Sequence, residues 1–263
     1  MTEQAVEQVV LVEVRDGVGW VRLNRPDRMN AVSGELRKQL LAALKQCERD
    51  EAVRCVVVAG SGRAFCSGAD VREFGSREGS LEAIRDEYQG ILTRLRTMPK
   101  PVIAAMNGVA AGIGASIAMA CDIRYAVPTA SFVEAFVKIG LTVDGGATWM
   151  LPRLIGTGKA LEMFYTGDPL EAGEAERLGL VNKVVPPEAL EKEVDQLASR
   201  LAAGPAGALA AIKRSVNRAQ NVTFEEAMEF EFHLQAVQMT SPDFAEGVKA
   251  FLEKRQPRFG GSA

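Results

Sequence analysis

Histidine is almost missing from this chain: 263 residues contain one, His233. Imidazole-based metal sites and Ser-His-Asp triads would have to rest on it alone. It stands in a Glu-rich helical stretch and reads as a surface or packing residue. Cysteine is scarce too, and Cys47, Cys55, Cys66 and Cys121 form no CxxC pair. They read as reduced thiols, which excludes a disulfide framework and a zinc ribbon. No metal site is expected. Net charge is small, −3 from 31 basic and 34 acidic residues. That gives no general pull toward nucleic acid or an anionic membrane, so neither is expected as a partner. The opening MTEQAVEQ lacks the basic start and apolar run of a signal peptide. Together with the reduced thiols, this leads to the expectation of a cytoplasmic protein. One long stretch has no charge, residues 101–121, but Pro101, Asn107 and three glycines interrupt it and Asp122 ends it. A buried strand followed by a buried helix fits it better than a membrane span.

What is present alternates. Residues 9–14 and 19–23 predict two strands around an Asp16-Gly17 turn. Ser33 is placed to cap a helix that lines up Leu36, Leu40, Leu41, Leu44 and Cys47. RCVVVA (54–59) reads as a strand buried on both faces. A small-residue loop (60–70), a helix (81–98) stopped by Pro99 and Pro101, a strand (102–106), a small-residue helix (112–120) and a strand (122–126) follow. This pattern predicts α/β layering with crossover helices. From Pro186 the reading is helical, with a capping box at Thr223–Glu226 and Ser241-Pro242 opening a last helix to about 255, ending on Lys254-Arg255. The tail's apolar faces have to pack on the body or on a neighbouring subunit.

Two turns, AFCSGAD (64–70) and NGVAAGIG (107–114), follow buried strands and consist of small residues. Small residues permit close backbone approach to a ligand. Each leads toward a helix, whose first N–H groups have no internal partner. Two such groups aimed at one point make an oxyanion hole; tight packing alone is the other reading. A dinucleotide fingerprint at Gly112 and Gly114 fails, because its third glycine position is Ile117.

AFCSGAD, KPVIAAMNGVAAGIGAS, CDIRYA, IGLTVDGGATWMLPRLIG and EGVKAFLEKRQPRF, in that order, resemble the enoyl-CoA hydratase/isomerase (crotonase) family. The likeness runs from LNRPDRMNA (23–31) to residue 259. It implies an α/β fold, a spiral of ββα repeats, with a spiral acyl-CoA-binding core at 1–195 and a helical trimerisation region at 196–263. It also implies a homotrimer or dimer of trimers, and an acyl-CoA substrate that brings coenzyme A with it rather than a bound cofactor. The implied oxyanion donors are the amides of Ala69 and Ile113. Hydratases of the family hold water between two glutamates, and the matching positions here are Ser116 and Phe136. Asp144 matches the aspartate of the dienoyl-CoA and ring-epoxyphenylacetyl-CoA isomerases and the nucleophile of a dehalogenase branch. The dehalogenase also needs a histidine that 81–98 lacks. The resemblance places Arg25, Arg28 and Met29 beside coenzyme A, with Ala69, Asp70, Val71 and Arg72 as the ligand-facing turn. Phe251 and Lys254 would come from a neighbouring subunit.

Asp144 has two readings. Before Gly145-Gly146 it fits an N-cap, held ionised by backbone donors. In an apolar pocket it would gain proton affinity and shuttle protons. The expected activity is a double-bond isomerase, with a ring or ring-epoxide acyl group as one candidate substrate and Asp144 as acid and base. A hydratase and a non-catalytic acyl-CoA-binding scaffold are the alternatives. Glu134 reads either as a second acid or base or as a solvated strand-edge residue. Phe136, Trp149 and Met150 read as acyl-pocket walls or as core.

Overall fold

The structure, a computed structural model, describes residues 8–73 and 81–260. Asp16 and Gly17, both at positive φ, close a hairpin between β1 (Val10–Arg15) and β2 (Val18–Leu23). Ser33 caps α1 (Gly34–Arg49) by accepting a bond from the Leu36 amide at 3.3 Å. Leu36, Leu40, Leu44 and Cys47 turn to the core as the spacing predicts. Each buried leucine contributes about 1.5–3 kcal/mol. After β3 (Cys55–Gly60) and α2 (Leu81–Thr97) come β4 (Val102–Met106), β5 (Ala110–Ala111) and α3 (Ile113–Ala120). The uncharged stretch is therefore strand, short strand and helix, and no described helix is long and apolar enough to cross a membrane. β6 (Ile123–Ala126), β7 (Ser131–Val133), α4 (Ala147–Ile155), α5 (Thr157–Thr166), β8 (Leu170–Glu171), α6 (Ala172–Arg177) and β9 (Lys183–Val184) complete the body.

Two layers of strand result. The larger sheet has the order β1-β2-β3-β4-β6-β9 and is parallel beyond the first hairpin. The smaller joins β5, β7 and β8. Two isolated parallel bridges, Val32 to Ala69 and Cys66 to Ala110, extend the smaller layer back through the first repeats. Each turn of chain thus gives one strand to the large sheet, one short stretch to the small layer, and a helix or helices outside. This is the spiral of ββα repeats expected from the motifs.

The expected boundary between core and helical region lies at 196. α7 (Leu190–Ala202) runs through that position and buries Leu197, Ala198 and Ala202 with the core. α8 (Ala206–Ala219), α9 (Phe224–Gln238) and α10 (Pro242–Leu252) follow. The Thr223 capping box and the Ser241 cap are both formed. α10 ends three residues short of its expected end. Lys254 adopts a left-handed φ of 50°, and Arg255 folds back onto Glu246 and Glu253 instead of closing the helix.

Candidate active site

The bridge between Val32 and Ala69 orients the first amide. Val32 donates to the Gly68 carbonyl at 2.8 Å, and its own carbonyl accepts from Asp70 at 3.1 Å. In a parallel pairing these two bonds straddle Ala69 and leave its N–H facing the other way. On that other side runs the turn into α3. Cys66 pairs with Ala110, and the Ala111 amide donates to the Cys66 carbonyl at 2.9 Å. The two segments thus lie side by side and run in the same direction. Ile113 is the first residue of α3, so its N–H is one of the orphan donors of a helix start. No side chain caps that start. Gly114 allows the approach: a Cβ there would press into the Cys66 carbonyl oxygen and side chain.

Asp144 does not cap α4. That helix starts at Ala147 behind Gly146, with no side-chain cap; only the Asp144 backbone carbonyl takes part, accepting from Ala147 at 3.2 Å. The Asp144 loop is seated on α3, because a Cβ on Gly145 would stand 2.7 Å from Ser116 Oγ and 2.9 Å from Ile113 Cδ1. Asp144 lines the wall of a cleft of about 730 Å³. Water reaches the side chain, yet partial desolvation raises its proton affinity. The opposite wall is α2, with Tyr88, Leu92 and Arg96. Trp149 lines the cleft between two cations, with Arg96 and Arg153 at 4.4 and 4.2 Å from its ring centre.

Ser116 is fully buried and its Oγ has no partner. Phe136 is partly buried and packs its ring 3.4 Å from where a Gly112 Cβ would be. Glu134 is buried, not solvated at a strand edge, and neither of its carboxyl oxygens is hydrogen-bonded. Burial, reinforced by the charge of Asp144, pushes its carboxyl up to about 8.

The expected coenzyme-binding residues divide. Arg28, Met29, Val71 and Arg72 are exposed near the first turn. Arg25 is committed within the fold, donating to the Ala31 carbonyl at 2.6 Å and to Asp70 at 3.1 Å. Asp70 is buried between Arg25 and Arg72, whose hydrogen bonds hold its carboxyl well below the usual range. It acts as a clamp beneath the turn. Phe251 and Lys254 belong to the tail and do not line the Asp144 cleft of their own chain. His233 is exposed on α9. Among the described residues, no three His, Cys, Asp or Glu side chains gather to hold a metal ion.

Two asparagines were missed from the sequence. Asn30, buried at a left-handed φ of 56°, donates to the carbonyls of Ser61, Ala64 and Phe65 and accepts from Arg25. Asn107 accepts from Gly60 and donates to Gly62 and Ala64. Together they fix the loop that delivers Ala69. The available signal was an asparagine near the end of LNRPDRMNA and another opening NGVAAGIG.

The model of a family described as "Enoyl-CoA hydratase/isomerase" matches residues 13–262. The 1,2-epoxyphenylacetyl-CoA isomerase of Escherichia coli K12 is 40% identical, over 97% of this chain and 99% of that protein. The crotonyl-CoA hydratase of Syntrophomonas wolfei is 36% identical, over 97% and 98%. The crystal structure of an enoyl-CoA hydratase from Bacillus anthracis superposes with a TM-score of 0.90 at 33% identity, covering 97% of this chain and all of that one.

Proposed function

This chain belongs to the enoyl-CoA hydratase/isomerase family, and on that premise we propose that it isomerises an acyl-CoA thioester by moving a double bond through an enolate. The Ala69 and Ile113 amides receive the thioester oxygen as negative charge builds on it. One such donor is worth about 10²–10³ in rate. Asp144 takes a proton from an activated carbon of the acyl chain and returns it further along. The carboxylate that removes one proton delivers one in return, exchanging with solvent in between, so one carboxylate suffices. Its raised proton affinity suits it to both directions, because general acid–base catalysis is most effective with a group poised toward working pH. On a ring-epoxide acyl group the same carboxylate would assist ring opening.

The observation that carries this reading is the seating of Asp144: it is on a cleft wall, its side chain released from any capping role, on a loop packed against the residue that opens α3. Support also comes from Ser116 and Phe136, which supply no carboxyl to hold a water. Coenzyme A arrives with the substrate, and no bound cofactor is needed. Arg28, Met29, Val71 and Arg72 meet its exposed part, Trp149 walls the acyl group, and Phe251 and Lys254 reach it from a neighbouring copy in a homotrimer or dimer of trimers.

The test is deuterium uptake into an enoyl-CoA in deuterated buffer. Asp144→Asn is expected to fold, bind the thioester and lose about 10²–10⁴ of the exchange rate. Undiminished exchange removes Asp144 from the role. Loss of the conjugated absorbance of crotonyl-CoA, with a hydroxyacyl product, would favour a hydratase. Binding without turnover on every thioester would favour a scaffold.

A further inference from the structure

Glu134 has no part in that mechanism, yet it is 1% exposed and both its carboxyl oxygens lack a partner. Its place is fixed from both sides. The residue before it, Val133, accepts a 2.8 Å bond from the Gly112 amide. Two residues after it, the Phe136 ring packs on Gly112. Gly112 in turn is the residue before Ile113. The carboxyl is therefore anchored beside the N-terminal end of α3, in a setting without a counter-ion. α3 and β5 carry no ionisable side chain. Lys138, in the same turn as Phe136, is drawn to Asp168 at 3.4 Å. β8 carries Glu171, which is exposed. The charge that acts on Glu134 is that of Asp144, and it is of the wrong sign to favour ionisation. An unpaired buried carboxylate costs several kcal/mol, whereas the neutral acid loses only hydrogen bonds.

We propose that Glu134 is a positioning residue that works while bearing its proton: a neutral carboxyl beside the oxyanion turn, leaving Asp144 as the sole anion of the site. This rests on the reading of Asp144 as the base. With one anion present, proton transfer from carbon to Asp144 merely moves a single negative charge from the aspartate to the enolate oxygen. An ionised Glu134 would oppose charge on the enolate and hold the proton on Asp144. The first effect slows formation of the enolate, and the second slows return of the proton. Glu134 ionises at about 8, so the site is competent at neutral pH and loses competence above it.

The experiment is a carbon-13 NMR titration of protein labelled at glutamate carboxyls. It requires no turnover. One resonance is expected to remain protonated at neutral pH, to titrate near 8, and to vanish in Glu134→Gln. If that variant does not fold, the labelled wild type answers alone, since one late-titrating glutamate is expected. In Asp144→Asn the same resonance should titrate lower, because the repelling charge is gone. All glutamates titrating in the ordinary carboxylate range would overturn the proposal. The second readout is deuterium uptake into 3-hexenoyl-CoA as a function of pH. The wild-type rate should fall about tenfold per pH unit above the ionisation, and Glu134→Gln should lack that fall. Superimposable profiles would overturn the positioning role. Undiminished exchange in Asp144→Asn would instead remove the base assignment, while the titration still reports the state of Glu134.

Discussion

Asp144 and Glu134 both hold protons more tightly than ordinary carboxyls, for reasons that differ in kind. Asp144 is partly desolvated on a cleft wall that water still reaches, and Glu134 is sealed and repelled by its neighbour. Sealing has a cost in stability that depends on pH. In the unfolded chain Glu134 ionises near the ordinary glutamate value of 4.5, and in the folded chain at about 8. Between these values the folded state binds the extra proton, so stability falls as pH rises, by about 1.4 kcal/mol per pH unit. Glu134→Gln removes this slope. Its urea midpoint relative to wild type should therefore improve steadily from about pH 5 to about pH 8. A constant difference between the two proteins would show that Glu134 ionises normally. None of this was legible in the string FVEAF, where a glutamate after a strand fits solvent as well as interior. Burial of a charged residue type is decided by tertiary packing, which no local pattern reports.

α3 is the element on which the site depends, and its sequence was informative for a physical reason. IGASIAMA is all small or apolar, and the helix is buried along its length. Small side chains there let the helix start approach the 66–69 segment, which the proposed pairing of the Ala69 and Ile113 amides requires. Gly114 marks the closest approach, because any Cβ would meet the Cys66 carbonyl, which is backbone and cannot swing away. Gly114→Ala should cost more than about 4 kcal/mol, seen as loss of soluble protein or a collapsed denaturation midpoint. A variant of normal stability that retains exchange would mean the helix start tolerates displacement. Turns, strands and caps were similarly readable, since each rests on local chemistry. Arg124 was not. It is buried below the C-terminal end of α3 and donates to the carbonyls of Leu180 and Cys121, both at 2.6 Å. In CDIRYA it could as well have been a surface cation.

At the scale of the whole molecule, the tail is tied to the body by polar bonds and left open on its apolar side. Lys213 on α8 donates to the carbonyl of Leu95 and pairs with Asp122, each at 2.8 Å. Asn217 and Arg96 exchange two bonds of 2.7 Å. α9 and α10 nevertheless keep Phe224, Phe232, Phe251 and Leu252 exposed, with Phe251 at 83%. The sequence required these apolar faces to find cover on the body or on another subunit, and within one chain the body does not supply it. Exposed apolar patches commonly serve as interfaces. The proposed trimer would bury it and bring Phe251 and Lys254 toward a neighbour's substrate. Sedimentation velocity should then give a species of three, or six, times the 28.3 kDa protomer. Phe251→Asp should shift it toward the monomer, because an aspartate at the contact carries a charge into the space an aromatic ring filled. Since Asp144, Ala69 and Ile113 all belong to one chain, dissociation should raise KM for the thioester more than it lowers kcat. A monomeric wild type, or a Phe251→Asp trimer with unchanged KM, would place coenzyme A binding wholly within one chain.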